Sequence, residues 1–219
     1  MPLPCRLPPQ RVWQTPAGQD PHKYLRPDLS EHLAKTLRSD LIRFYQGQDI
    51  IGSEIGAAAK NVMGIAAGLL DGFNFATLKG GLMARGAREI SRLIKACGGN
   101  EFSAYGLCHL GDYEATLFSK FSHNRMWGEM FAKGEKFEKL AEGVATSSAL
   151  LHIANQVNVD LPITQTVYDM IHGNISKDEA IKRIKTRASE SWSIQDLRKV
   201  NGKNTKSSHL KWYLRNFNE

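Results

Sequence analysis

Hydrophobic and polar positions along most of this chain follow the period of an α-helix. The first helical pattern begins at Asp28, a residue type that often caps helices. Apolar side chains then recur at steps of four residues, at Leu29, Leu33 and Leu37. Six further helices are predicted, over Glu54–Asp71, Leu78–Ala96, Arg125–Lys133, Phe137–Gln156, Ile163–His172 and Ser176–Arg187. The one strand candidate is Leu41–Tyr45, so the sequence predicts a mainly α fold.

The predicted helix over Glu54–Asp71 is unusually rich in glycine and alanine. Glycine weakens a helix taken by itself, but small residues let another backbone or a ligand approach closely. We therefore expect this helix to be central and buried. The next one, Leu78–Ala96, is followed by the pair Gly98–Gly99, which favours a left-handed C-cap.

Proline and charge are concentrated at the two ends of the chain. Seven of the eight prolines fall in residues 1–27, which are predicted to be irregular. The segment Lys182–Glu219 holds ten Lys or Arg against three acidic residues, which accounts for the net charge of +7. Such a tail could contact phosphate backbones or be a solvated surface, and the absence of a recognisable nucleic-acid-binding motif favours the second.

No segment resembles a membrane span or a secretory signal. The longest apolar candidate, Ile55–Leu70, is interrupted by Lys60 and falls short of the roughly 20 apolar residues that a span needs. Prolines interrupt the apolar residues of the N-terminus. The three cysteines, Cys5, Cys97 and Cys108, have no Cys-x-x-Cys spacing, which favours reduced thiols over a disulfide framework or a zinc site. These features predict a cytoplasmic protein.

Lys60 is the first candidate for chemistry, because it is the only charged side chain between Glu54 and Asp71. A lysine that is partly desolvated by apolar neighbours can act as an acid–base group or stabilise a developing oxyanion. The alternative is a lysine that extends from a core helix to solvent. Helical position alone does not decide between them.

A second group of candidates follows in the run G-L-C-H-L-G-D-Y-E-A-T and in S-H-N-R. Asp112 after a glycine suits a tight turn that aims its carboxylate into a cleft. Asn124 and Arg125 at a helix start could bind an anion together with backbone N–H groups. Equally, Asp112 and Asn124 could be helix caps. Further along, Glu142 could accept hydrogen bonds from ribose hydroxyls or be a surface acid.

Five fragments of the sequence, taken in order, closely resemble the C-terminal domain of bacterial-type NAD(P)-dependent glycerol-3-phosphate dehydrogenases, over about residues 41–185. They are E-I-G-A-A-A-K-N-V-x-x-I-A-A-G-L-x-D-G, L-G-D-x-x-x-T, S-x-N-R-x-x-G, E-G-V-x-T and L-P-I-T-x-x-V-Y. The resemblance implies a multi-helix domain like the C-terminal domain of 6-phosphogluconate dehydrogenase-type enzymes, over residues 51–187. Residues 28–50 would then be a helix–strand remnant of a nucleotide-binding domain, and residues 188–219 a basic extension.

The resemblance also implies a function in glycerol-3-phosphate metabolism. The reaction would be transfer of a hydride from glycerol 3-phosphate to NAD or NADP, forming dihydroxyacetone phosphate. Lys60 would be the catalytic proton acceptor, and Asp112 and Thr116 would lie near the reacting carbon. The positions that match substrate-binding and cofactor-binding residues of the family are Ser122, His123 and Asn124 for the substrate, and His123, Leu140 and Glu142 for the cofactor.

Three departures from the family pattern stand out. His123 occupies the position of an arginine, so a permanently charged fork of donors is replaced by an imidazole. Residues 75–77 are Phe-Ala-Thr where the family has Gly-Asp-Asn. The chain contains no Gly-x-Gly, the turn that opens a dinucleotide-binding βαβ unit, so most of the Rossmann half has no counterpart.

Two interpretations of function therefore stand side by side. The first is a dehydrogenase of this family that is truncated and does not hold its cofactor well alone. The second is a non-catalytic helical module, which binds another protein or contributes its site to a separately encoded Rossmann half. A homodimer is compatible with either.

Overall fold

The computed structural model describes residues 27–40, 44–45 and 47–186, and within them the fold is built from α-helices. The helices are α1 (Pro27–Leu37), α2 (Ile50–Gly72), α3 (Lys79–Ala96), α4 (Asp112–Phe118), α5 (His123–Lys133), α6 (Glu142–Gln156), α7 (Pro162–Ile171) and α8 (Lys177–Thr186). Between α2 and α3 lies a 3-10 turn, Ala76–Leu78. Between α3 and α4 lie a 3-10 turn, Glu101–Tyr105, and a π turn, Leu107–Gly111.

Helix α2 is the centre of the fold, as its small residues predict. Thirteen of its residues are buried, and α3, α4, α5, α6 and α7 all contact it. Asp49 caps its start, because one carboxylate oxygen accepts the amide N–H of Gly52 at 3.0 Å. The other oxygen of Asp49 accepts the amide N–H of Asn100 and the hydroxyl of Ser103, at 2.9 and 2.6 Å. The N-terminus of α2 is thereby tied to the segment that leads into the π turn.

Glycines recur along α2 at steps of four residues, and Lys60 stands within that series. We call the glycines of the series, Gly52, Gly56, Gly64, Gly68 and Gly72, the glycine row. A step of four residues advances the row by about 40°, so it winds slowly round α2 and meets different neighbours in turn. A Cβ at Gly68 would lie 2.0 Å from the carbonyl oxygen of Arg125, so α5 approaches α2 at a distance that a side chain would prevent.

Most of the predicted helices are found within one to four residues of their expected ends. The C-terminus of α3 forms as predicted, with Gly98 at φ +87° and the amide N–H of Gly99 donating to the carbonyl of Ile94 at 2.9 Å. The prediction that a helix starts at Phe137 was wrong, since α6 starts at Glu142. The reason is that Ala141 is extended (φ −117°, ψ 101°), which lets the amide of Gly143 reach a side chain of α5.

The segment before and after Asp112 differs from the prediction. Asp112 does not lie in a tight turn but is the first residue of α4. The π turn ends directly before it, with the amide N–H of Gly111 donating to the carbonyl of Gly106 at 3.1 Å. A π turn holds one more residue per hydrogen-bonded ring than an α-helix, so the apolar pattern in this segment does not follow the usual helical period.

Several predictions concern residues that the structure describes only in part. Of the strand predicted over Leu41–Tyr45, residues 41–43 lie outside the described residues, and Phe44 and Tyr45 are not in a strand. Nearly all of the proline-rich segment and the basic extension, residues 188–219, also lie outside the described residues. Helix α8 belongs to a second compact unit, residues 177–219. In the described parts of the chain, no helix combines the length and the apolar character of a membrane span.

Candidate active site

Lys60 lies near the middle of α2, at the position of the series that is not glycine. Its ammonium group forms an ion pair with Oδ2 of Asp112 on α4. The side chain of Lys60 is 27% exposed and that of Asp112 is 46% exposed, so the pair lies at the edge of the buried helix, where a ligand can reach it. Lys60 therefore reaches the surface of the fold and is paired there, and its role as a site residue stays a prediction.

Two residues that follow Asp112 on α4 fix its position. The next residue, Tyr113, is fully buried, and its hydroxyl donates to the carbonyl of Met83 on α3 at 2.5 Å. One turn further along α4, the hydroxyl of Thr116 donates to the backbone carbonyl of Asp112 at 3.0 Å. The carboxylate of Asp112 makes no capping bond to α4, so it is directed to Lys60 and is not used as a helix cap.

Asn61, the neighbour of Lys60, connects three helices. Its side-chain oxygen accepts an N–H of Asn124 on α5 at 3.1 Å, and its own amide N–H donates to the carboxylate of Glu142 on α6 at 3.1 Å. The side-chain oxygen of Asn124 in turn accepts the amide N–H of Gly143 at 2.9 Å. Asn124 is therefore a link between α2 and α6 and does not cap α5.

Asn61 was not among the residues predicted for the site. Its signals in the sequence are its place directly after Lys60 and its presence in the first fragment of the family resemblance, and neither composition nor period distinguishes it from a surface asparagine.

Thr116 and Asn124 lie on either side of the glycine row, one turn beyond Lys60. A Cβ at Gly64 would stand 3.0 Å from Cβ of Asn124 and 3.1 Å from Cγ2 of Thr116. The absence of a side chain at Gly64 therefore lets both α4 and the start of α5 approach α2 closely. The structure thus brings Thr116 and Asn124, which are apart in sequence, to the same stretch of α2 as Lys60.

Ser122 and His123 form the start of α5. Ser122 is the N-cap, with its hydroxyl oxygen accepting the amide N–H of Arg125 at 3.3 Å. His123 is exposed, and its ring meets the ring of Phe137 edge to face, with 6.1 Å between centroids. The imidazole is therefore available to a ligand, next in sequence to Asn124.

Arg125 does not take part in an anion site at this helix start, contrary to the prediction from the sequence. Its side chain is 13% exposed and its guanidinium is bonded to Asp71 at 2.5 Å and to Glu129 at 3.0 Å. The same oxygen of Asp71 accepts the ammonium of Lys79 at 2.7 Å. A guanidinium that is already paired with two carboxylates in a nearly buried position binds α2 to α5 and is not free for a ligand.

Leu140 and Glu142 lie at the start of α6. The side chain of Leu140 is 77% exposed, and the carboxylate of Glu142 is exposed apart from its bond to Asn61. An exposed apolar side chain beside a carboxylate acceptor offers both a surface for a planar ring and an acceptor for hydroxyl groups. These two groups fit the chemistry of a nucleotide cofactor on the α6 side of the site.

Comparisons with known proteins point to one family. Residues 49–182 match the sequence model of the NAD-dependent glycerol-3-phosphate dehydrogenase C-terminus. A glycerol-3-phosphate dehydrogenase (NAD(P)+) of Prosthecochloris aestuarii is 37% identical over 168 residues, which cover 73% of this chain and 51% of that protein. The corresponding protein of Lawsonia intracellularis is 36% identical over 180 residues, which cover 78% of this chain and 51% of the relative.

A solved structure agrees with these sequence matches. The crystal structure of glycerol-3-phosphate dehydrogenase from Coxiella burnetii superposes with a TM-score of 0.69 at 26% sequence identity, covering 74% of this chain and 52% of that one. The chain therefore spans about half the length of the curated relatives it matches.

Proposed function

This chain belongs to the NAD(P)-dependent glycerol-3-phosphate dehydrogenase family, and we propose that its helical region supplies the substrate side of that family's active site. The reaction is the interconversion of glycerol 3-phosphate and dihydroxyacetone phosphate with NAD or NADP. The observation that carries the proposal is the ion pair of Lys60 and Asp112 at the edge of α2, with Thr116 and Asn124 one turn beyond it.

In this proposal Lys60 is the catalytic residue. Its amine takes the proton of the secondary hydroxyl when glycerol 3-phosphate is oxidised, and its ammonium returns a proton to the carbonyl oxygen in the reverse direction. The carboxylate of Asp112 accepts a hydrogen bond from Lys60 Nζ and so orients it toward the site. When bound, NAD or NADP would supply the hydride acceptor for carbon 2, and Leu140 and Glu142 are the residues of this chain that would hold it.

The remaining candidates hold the substrate. The hydroxyls of Thr116 and Ser122 can each bond a substrate oxygen. The second amide N–H of Asn124 can do the same, since its first donates to Asn61. His123 faces the substrate phosphate in place of the family's arginine, and Leu140 and Glu142 contact the cofactor from the α6 side.

The proposal also names a cellular compartment and a partner for this region. We place the protein in the cytoplasm, where free thiols such as Cys97 and Cys108 persist. The partner is a nucleotide-binding half, either joined to this region or separately encoded, within a homodimer or a monomer. The half-exposed leucines of α1, Leu29, Leu33 and Leu37, support a domain contact because apolar rows of this kind are usually covered.

The proposal is tested by replacing Lys60 in a protein that joins this chain to the nucleotide-binding half of one of its relatives. Lys60→Ala is expected to lower kcat for glycerol 3-phosphate oxidation by about two orders of magnitude or more, because the proton acceptor is lost. Alanine suits a helix interior, so the fold should persist in circular dichroism. Lys133→Ala, which removes an exposed lysine at the end of α5, is the matched control and should retain activity. Full activity in Lys60→Ala rejects the assignment, and no activity in the unmodified fusion favours the helical-module interpretation.

A further inference from the structure

A buried histidine lies three residues before Asp112, and the reaction proposed above does not use it. His109 is fully buried within the π turn, and its Nδ1 lies 2.9 Å from the carbonyl oxygen of Gly56 on α2. A carbonyl oxygen can only accept, so Nδ1 carries the hydrogen and donates it. Burial lowers the pKa of His109 to about 4, against the opposing effect of this hydrogen bond, so the imidazole is neutral near pH 7.

The acceptor of this bond belongs to the turn of α2 that ends at Lys60. In an α-helix the carbonyl of residue 56 also accepts the amide N–H of residue 60. The two lone pairs of the Gly56 oxygen are thus shared between the backbone of Lys60 and the ring of His109. One peptide group thereby connects the segment that carries the lysine with the segment that carries its carboxylate partner.

The close approach of these two segments depends on the glycine row. A Cβ at Gly56 would stand 3.0 Å from Cβ of His109 and 3.4 Å from Sγ of Cys108. The ring of His109 also packs against the ring of Tyr113, with centroids 5.0 Å apart. In sequence, Asp112 therefore stands between two residues with buried rings, of which His109 is bonded to α2 and Tyr113 to α3.

We propose that His109 is a positioning residue, which holds Asp112 against Lys60 by anchoring the π turn to the carbonyl group of Gly56. The role of His109 in the reaction rests on the proposed function, whereas its role in placing Asp112 beside Lys60 does not. The hydrogen bond sets where the π turn lies along α2, and α4 begins at the end of that turn with Asp112. Loss of the donor should let the turn move and the carboxylate withdraw from Lys60.

The test compares His109→Asn with His109→Leu in the full 219-residue chain. Asparagine and leucine are close in size, but only asparagine keeps an N–H near the position of Nδ1. The readout is the rate at which Lys60 is acetylated by limiting N-hydroxysuccinimide acetate, measured by peptide mass spectrometry relative to Lys133 in the same sample. Asp112→Asn defines the rate without the ion pair, which should exceed the wild-type rate by up to about fivefold, given the usual strength of exposed pairs.

In His109→Leu the acetylation rate of Lys60 is expected to rise at least halfway from the wild-type rate to the rate in Asp112→Asn. In His109→Asn it should stay near the wild-type rate. A purely structural histidine would make the two variants alike, since both lose the ring. Equal rates in the two variants, or a wild-type rate in His109→Leu, overturn the proposal. An Asp112→Asn rate equal to the wild type also overturns it, since there would be no ion pair to position.

A second variant keeps the test decisive if His109→Leu does not fold. Gly56→Ala leaves His109 in place but adds a Cβ to α2 at 3.0 Å from the Cβ of His109. This close contact should push the π turn away from α2. Like His109→Leu, this variant should raise the acetylation rate of Lys60. An unchanged rate in the folded variant counts against the proposal. Acetylation needs neither cofactor nor substrate, so its result is independent of the proposed function. If the acetylation rates contradict the proposal while the fusion protein is active and depends on Lys60, only the role of His109 is rejected.

Discussion

At the level of single residues, His123 is the most consequential departure that the sequence predicts, because the resemblance places an arginine at this position. An arginine offers a phosphate two parallel donors and a permanent charge, whereas a neutral imidazole offers one donor. The ring of His123 is exposed at the start of α5 and packs against the ring of Phe137, so an arginine could be accommodated there without displacing a buried group.

We predict that His123→Arg lowers KM for glycerol 3-phosphate in the fusion protein described above. A charge-assisted hydrogen bond contributes about 1.5–3 kcal/mol, which corresponds to roughly tenfold or more in affinity. Steady-state kinetics measure the change. His152→Arg adds the same charge on the exposed side of α6 and should leave KM unchanged. An unaltered KM in His123→Arg excludes a phosphate contact at this position.

A second prediction for a single residue concerns the effect of His109 on how the free energy of unfolding depends on pH. Its pKa falls from 6.5 to about 4 on folding, so the unfolded chain binds the proton more tightly than the folded one. Its contribution to the free energy of unfolding is therefore complete above pH 6.5 and is lost as the pH falls toward 4. The full loss is about 3 kcal/mol, from about 1.4 kcal/mol per pKa unit.

Urea unfolding of the wild type and of His109→Asn between pH 7 and pH 4 measures this contribution. The wild type should lose more stability with falling pH than the variant, whose side chain does not titrate. Other ionisable groups are common to both proteins, so their effects cancel in the difference. Parallel curves would mean that His109 is not neutral and buried in the folded chain.

At the scale of elements, the glycine row decides how closely α5 can pack on α2. We predict that Gly68→Ala lowers the free energy of unfolding by about 2–3 kcal/mol, because the added Cβ meets the backbone carbonyl of Arg125, which cannot rotate away. Gly81→Ala on α3 is the matched control. Apart from the backbone of α3 itself, no atom of the described residues lies within 4 Å of a Cβ at Gly81, so this change should raise stability by up to about 1 kcal/mol.

Thermal and urea unfolding of the two alanine variants would check the packing of α2. Similar stabilities for Gly68→Ala and Gly81→Ala would show that α5 can shift away from α2 at little cost. Because Asn124 lies on α5, such a shift would also loosen the network of Asn61 and Glu142, and the site would not be rigid.

The elements themselves were largely predictable from sequence, with one instructive exception. Long helices with a regular apolar period, such as α2 and α3, were predicted close to their observed ends. Helix α4 was not predicted, because it has only seven residues and follows a π turn that breaks the period. His109 in the π turn anchors Asp112, so a segment that departs from the α-helical period helps to build the ion pair.

At the scale of the whole molecule, the chain spans about half the length of the relatives it matches and contains no Gly-x-Gly. We predict that the isolated 219-residue chain shows no saturable binding of NADH or NADPH at micromolar concentrations in calorimetry. Leu140 and Glu142 would contact only one side of the cofactor. The fusion with a nucleotide-binding half should restore binding, and saturable binding by the chain alone would contradict the division of roles proposed here.

The family, the helical class and the types of residue available for chemistry follow from the amino-acid sequence. Those properties are local or cumulative: a helical period needs only neighbouring residues, and five matched fragments in order identify a family without any knowledge of contacts. Lys60, Asp112 and Asn124 could be nominated in this way.

Which of these residues meet, and which of their groups are already paired, depends on how the helices pack. The pairing of Lys60 with Asp112 spans 52 positions, and the bond from Asn61 to Glu142 spans 81, so neither can be derived from spacing. Arg125 was a plausible anion ligand until its place between Asp71 and Glu129 showed that its charge is already paired. The physical reason is that a side chain's chemistry depends on its partners and its burial, and these are set by how the helices pack around α2.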